Sequence, residues 1–197
     1  MFTNILRYFS IPFEKNESDF IINPSIQGRE IIQEQKHYKM GNIQGLFTHN
    51  KTSCISRCFF SDSVVNAVSF IHKNPSVLAD DLLLAITGDN PNFLFFNKII
   101  SDYNFISEYS FISNNTLANR LLLIKSVLFL SNISEVNISS KDGDSVTITA
   151  GNSHFIVHFE DLNNRFRIER FNRNRLNIKI YRPQTFQTEF KNIYNIK

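Results

Sequence analysis

Three stretches of the chain repeat one pattern: an apolar run, a polar turn, then apolar residues at helical spacing. Ile55–Phe60 reads as a short strand. Val64, Val65, Ala67, Val68 and Ile71 then share one helical face over Ser63–Lys73. Ser61 or Asp62 supplies the N-cap of that helix, and Asn74-Pro75 stops it. Leu82–Thr87 is a continuous apolar run, the pattern of a strand buried on both faces, and it ends in a turn at Gly88–Pro91. Phe93, Phe96, Ile99 and Ile100 make a second helical stripe over Asn92–Tyr103. Phe105–Ser113 is a third strand, Thr116–Leu130 a third helix and Ile133–Ser139 a fourth strand. This alternation predicts an α/β domain over residues 45–140: a four-stranded, mainly parallel sheet with helices on both faces.

The rhythm differs on either side. Lys141–Asp144 is a hairpin signal. Val146–Thr149, Phe155–Phe159, Arg165–Arg170 and Leu176–Arg182 then predict a β-rich C-terminal extension over residues 141–197. It either adds antiparallel strands to the sheet or forms a small layer of its own. Residues 1–44 form an N-terminal segment that either completes the sheet or stands apart. Pro24 biases Asn23 away from helix, and Gln27–Lys39 fits a strand pair or a helix equally well. No repeat of 20–50 residues is visible.

With 197 residues, 42% of them hydrophobic, the chain is long enough for one packed domain with an appendage. A net charge of +3 names no partner, but its distribution is uneven. Arg165, Arg167, Arg170, Arg173, Arg175, Lys179 and Arg182 face only Glu169 within residues 165–182. Such a stripe attracts phosphate, or it is simply the solvated face of a strand. Phe166, Phe171 and Tyr181 are interleaved with it, and alternation points Phe166 and Ile168 toward a core. Cys54 and Cys58 are too few for a disulfide framework, and with His49 they leave a zinc set incomplete. His154 and His158 share a strand face without an acid or thiol beside them, as structural histidines do. Ser63 follows an acid at a strand-to-helix turn but lacks the glycines of a nucleophile elbow. Neither a phosphate-binding Walker loop nor a dinucleotide fingerprint is present. The first residues lack the features of a signal peptide, and no apolar run reaches membrane-spanning length, so a soluble cytoplasmic protein without a membrane partner is expected.

The polar turns carry the strongest signal. The first reads Asp62-Ser-Val-Val-Asn-Ala-Val-Ser-Phe70, the second Thr87-Gly-Asp-Asn90 and the third Asn114-Asn-Thr-Leu-Ala-Asn-Arg120. In order and spacing they resemble the Toprim domain of primases, topoisomerases and related nucleases, and more narrowly the Toprim-bearing proteins of bacterial mobile elements. Those carry Glu-Ser-x-x-Asp-Ala-Leu-Ser-Tyr, Thr-Gly-Gly-Asn and Asp-x-Asp-x-Ala-Gly-Arg in these places. The resemblance implies a Toprim-like fold and a site in which the Glu and the Asp pair hold Mg²⁺ for phosphodiester chemistry. Here Asp62 stands in the first place, on a stem one methylene shorter. Asn114 and Thr116 replace the Asp pair with neutral oxygens, and Arg120 keeps the basic position. Mg²⁺ needs carboxylate charge, so the implied site is a degenerate remnant of Asp62, Asn114, Thr116 and Asp89, with no metal and no cofactor expected.

The reading that follows is a non-catalytic protein of a mobile element, serving as a scaffold or nucleic-acid-associated module. The stripe at 165–182, with Arg120, would contact DNA, and another protein of the same element is a second expected partner. An alternative is an enzyme with a reduced Mg²⁺ site on Asp62, Asp89 and Arg120, acting on a phosphodiester or nucleotide. A third is a module that binds protein alone.

Overall fold

The computed structural model describes residues 2–16, 19–33, 36–49, 54–112, 116–140, 144–164, 167–172 and 174–181. In chain order its elements are α1 (Phe2–Tyr8), β1 (Phe13–Lys15), β2 (Asp19–Ser25), β3 (Gly28–Gln33), β4 (Lys36–Gly41), β5 (Gly45–Thr48), β6 (Arg57–Ser61), α2 (Val64–Lys73), β7 (Leu82–Ile86), α3 (Phe93–Asp102), β8 (Glu108–Ile112), α4 (Leu117–Leu130), β9 (Val136–Ser140), β10 (Ser145–Ala150), β11 (Ser153–His158), α5 (Phe159–Asn164) and β12 (Ile178–Tyr181). They divide into two compact units. One comprises Met1–Asp89, Phe105–Asn114 and Ile178–Lys197; the other comprises Asn90–Asn104 and Asn115–Asn177.

The described residues of the first unit form two sheets. Strands β1 to β4 form an antiparallel meander in sequence order. Pro24 sits inside β2, where it cannot donate to the ladder, and the register shifts between Ile22 and Ser25 accordingly. The second sheet has the order β12-β8-β6-β7-β5. β12, β8, β6 and β7 run parallel, and β5 closes the edge antiparallel to β7. All five residues of β7 are buried, as its unbroken apolar run requires. The core joins Phe2, Ile5, Leu6 and Phe9 of and after α1, Phe20, Ile22 and Ile32 of the meander, Val68 and Ile71 of α2, and Phe59 and Leu84 of the five-stranded sheet. Phe2 meets Phe20 edge-on at 5.5 Å between ring centroids.

In the second unit α3 packs on α4, with Phe96 against Phe129 at 5.6 Å. Strands β9, β10 and β11 make an antiparallel sheet of order β11-β10-β9, and α5 follows β11 directly. α4 ends in an αL residue, Asn132 (φ 61°), whose amide and that of Ile133 return to the carbonyls of Phe129 and Leu128. Among the described residues no helix is long and apolar enough to cross a membrane.

The fold corrects the expected architecture. A Toprim-like, four-stranded and mainly parallel sheet with helices on both faces is not what forms. Among the described residues there are three sheets, two of them wholly antiparallel and one mixed. The strand expected fourth, at Ile133–Ser139, becomes β9 and pairs antiparallel with β10. Its alternation of Val136, Ile138 and Ser140 with Asn137 and Ser139 is that of a half-exposed antiparallel strand, unlike the continuous apolar run of β7. The β-rich extension expected over 141–197 is not one body either. β12 joins the five-stranded sheet beside β8, and the run expected as a strand at Arg165–Arg170 has a 3-10 turn at Ile168–Arg170.

Candidate functional site

Ligands of open α/β sheets gather at the carboxyl ends of parallel strands. In the first unit that edge is built by the turns after β6 and β7. Ser61 ends β6, and its hydroxyl donates to the Ser63 carbonyl at 2.9 Å. The N-cap of α2 is Ser63 and not the expected Ser61 or Asp62: the Ser63 Oγ accepts from the Asn66 amide at 3.0 Å. The hydroxyl is fully buried and occupied as a cap, so the turn is no nucleophile elbow. Across the edge, the Thr87 amide and hydroxyl both donate to the Ser61 carbonyl, at 2.8 and 3.2 Å. Gly88 then turns the chain with φ 65°, a conformation a side chain would strain. This brings Asp89 to the same cation as Asp62.

That cation is Lys39 of β4. Its ammonium donates to Asp62 Oδ2 at 2.9 Å and to Asp89 Oδ1 at 2.6 Å. Asp62 also accepts from Asn66 Nδ2 at 2.7 Å. Asp62 is the inner limb, with 26% of its side chain exposed, and Asp89 the outer, with 70%. Burial lowers the Lys39 pKa, but the charge and hydrogen bonds of the two carboxylates outweigh it and hold the ammonium above the ordinary lysine range.

Beside this bridge lies Glu30 of β3, which is fully buried. Its two oxygens accept from the amides of Val64, at 2.6 Å, and Val65, at 3.2 Å. These belong to the first turn of α2, where backbone donors have no helical partner. His37 Nε2 lies 2.9 Å from Glu30 Oε2. Glu30, His37 and Lys39 all belong to the N-terminal segment, and none was singled out from the sequence. Their available signal was positional: Glu30 is an acid between the apolar residues Ile31 and Ile32 and a glycine-led strand start.

The other sequence-derived residues are placed as follows. Thr116 is the N-cap of α4, its Oγ1 accepting from the Asn119 amide at 3.3 Å. Arg120, on the same helix, is buried at 5% exposure and donates to the Leu162 carbonyl of α5, so its guanidinium works inside the second unit. Arg167, Arg170 and Arg175 are exposed residues of the second unit, around a turn whose Ile168 and Phe171 are buried. Lys179, in the first unit, bridges to Glu108. Asn114, Arg165, Arg173 and Arg182 lie outside the described residues. Cys58 is buried in β6, where burial pushes its thiol well up, and Cys54 is exposed. His154 is exposed beside Thr149 Oγ1 at 3.2 Å.

The residues present do not fit a Mg²⁺ site. A hard dication needs several anionic oxygens, whereas Asp62 and Asp89 already share an ammonium. Among the described residues no group of three or more His, Cys, Asp or Glu side chains could hold a metal ion. Comparison with protein-family models gives no match, and comparison with curated proteins gives no relative of significant similarity.

Proposed function

We propose that this protein is a non-catalytic, cytoplasmic module that acts by binding nucleic acid. The observation that carries the first half is the Lys39 ammonium between Asp62 and Asp89. A carboxylate pair that already shares an ammonium from within the fold keeps one net negative charge, too little to balance a catalytic dication, and phosphodiester chemistry of this class depends on one. Ser63 is a buried cap and Arg120 a buried structural donor, which removes two further groups from any reaction.

Nucleic-acid binding is supported by the exposed Arg167, Arg170 and Arg175, within an Arg-rich segment that continues to Arg182. Guanidinium groups neutralise phosphates and release counterions, so such binding weakens steeply with salt. The place in a mobile element rests on the motif resemblance alone.

Electrophoretic mobility shifts with short single- and double-stranded DNA test the binding. The wild type should shift DNA at low salt, and the double variant Arg170→Glu, Arg175→Glu should weaken that by about tenfold or more. No shift with any DNA at low salt removes the binding half. Cleavage of DNA with Mg²⁺ or Mn²⁺ that vanishes in Asp62→Ala removes the non-catalytic half.

A further inference from the structure

One residue of the second unit holds a backbone conformation foreign to its type. Arg175 has φ 50°, in the left-handed region. A β-carbon crowds the following carbonyl there, so the region is left mostly to glycine and asparagine. Two asparagines, Asn172 and Asn174, stand close by in the chain, and neither takes it.

The neighbouring groups fix that conformation. The Asn172 side chain grips Leu176 from both sides: its Nδ2 donates to the Leu176 carbonyl at 2.7 Å, and its Oδ1 accepts from the Leu176 amide at 2.9 Å. The Arg175 amide donates to the Asn172 carbonyl at 3.2 Å. Asn174 Nδ2 donates to the Ser131 carbonyl at 3.3 Å, which ties this turn to the end of α4. None of these bonds uses the Arg175 side chain. That side chain is exposed, and its guanidinium has no partner among the described residues.

A turn needed for the fold alone is made more easily with glycine or asparagine at this position. Backbone strain persists where the side chain it presents has a use. The use open to an exposed, unpaired guanidinium is a two-pronged contact with a phosphate group. A group fixed before contact also has less freedom to lose on binding.

We propose that Arg175 is a preset contact for a nucleic-acid phosphate, with Asn172 and Asn174 as its positioning residues. The proposal rests on the nucleic-acid reading and deepens it: the contribution of Arg175, unlike that of Arg167 and Arg170, passes through the two asparagines.

The probes are labelled single- and double-stranded DNA oligonucleotides, titrated by fluorescence anisotropy at several salt concentrations. Arg175→Ala should weaken binding about fivefold and lower the slope of log affinity against log salt by about 1. Asn172→Ala removes no charge, yet should weaken binding of the otherwise wild-type protein about threefold and leave Arg175→Ala unaffected. Arg175→Gly should bind as poorly as Arg175→Ala, with a thermal midpoint at or above the wild-type value, because glycine relieves the strain. An unchanged salt slope in Arg175→Ala overturns the phosphate contact. No loss from Asn172→Ala, or the same loss with and without Arg175, overturns the positioning role. A lower midpoint in Arg175→Gly makes the arginine a structural residue and overturns the proposal. Should Asn172→Ala fail to fold by circular dichroism, Asn174→Ala, which frees the tie to Ser131, takes its place with the same outcomes. A wild type that binds no DNA at low salt overturns the nucleic-acid reading and this proposal with it, whereas the other adverse outcomes leave that reading standing.

Discussion

At the scale of the residue, one lysine sets the character of the site. Lys39 links two carboxylates that lie 23 and 50 positions further along the chain. Its folded pKa is raised, so as far as the titration of the lysine goes, while Asp62 and Asp89 are ionised, its ion pairs stabilise the fold fully below the unfolded lysine value, about 10.4. That stabilisation disappears as pH rises through the folded value. The denaturation midpoints of wild type and Lys39→Met should therefore differ at neutral pH and converge in strong alkali; a difference that holds or widens there contradicts the sign. The cysteines give a second check. Cys58 is buried with its thiol pKa pushed well up, whereas Cys54 is exposed. A thiol reagent should label Cys54 at once in the native protein and Cys58 only after denaturant is added. Equal labelling of both without denaturant would show that β6 is not buried as described. The sequence pointed to Asp62 and Asp89 because acids in turns after apolar runs stand out. It left Lys39 and Glu30 unmarked, because a charge in a polar alternating strand reads as solvated until the register shows what it faces.

At the scale of the element, the local signals served well wherever one face or both are buried. α2 ends at Asn74 before Pro75, and β7 is the five-residue apolar run, as periodicity and the stop signal predict, whereas the cap falls on Ser63 and not on Ser61 or Asp62. Elements with mixed exposure were harder. Phe155 and Ile156 alternate with neighbours in β11, but the following Phe159–Asn164 turns helical, with Glu160 and Asp161 in its first turn. Acids at a helix start suit the macrodipole, and that signal lay in the sequence under the label of a strand end. Thr116 shows how an element can absorb a residue that looks functional. Its hydroxyl caps α4 by accepting from Asn119. Thr116→Ala should thus cost about 1 kcal/mol in the stability of the second unit, and Thr116→Asp, which also caps, should cost less. Urea unfolding monitored by helix signal measures both. If Thr116→Ala is neutral, the capping role is refuted and the residue is open to another.

At the scale of the whole molecule, the distinguishing fact is where the five-stranded sheet gets its last strand. β12 returns to pair in parallel with β8, with Ile178 opposite Tyr109 and Tyr181 opposite Ile112. Its alternation shows a half-buried strand, but no local pattern names the neighbour of a parallel strand, which is chosen by closure across the chain. The return is anchored by side chains as well as by the ladder. The Tyr181 ring stacks on Phe59 at 5.5 Å and meets Phe70 at 5.0 Å, and Lys179 bridges to Glu108. A chain ending at Asn177 therefore loses the outer partner of β8 and a ring from the core of the first unit, at a cost of roughly 3–5 kcal/mol by analogy with a large-to-small core change. The second unit ends at Asn177 and keeps every element. Hydrogen exchange on the truncated chain should show protection falling in β6 and β8 while α4 and β10 retain theirs. Equal loss in all four segments would mean that the two units unfold as one. Unchanged protection in β6 and β8 would mean that β12 closes the sheet without supporting it.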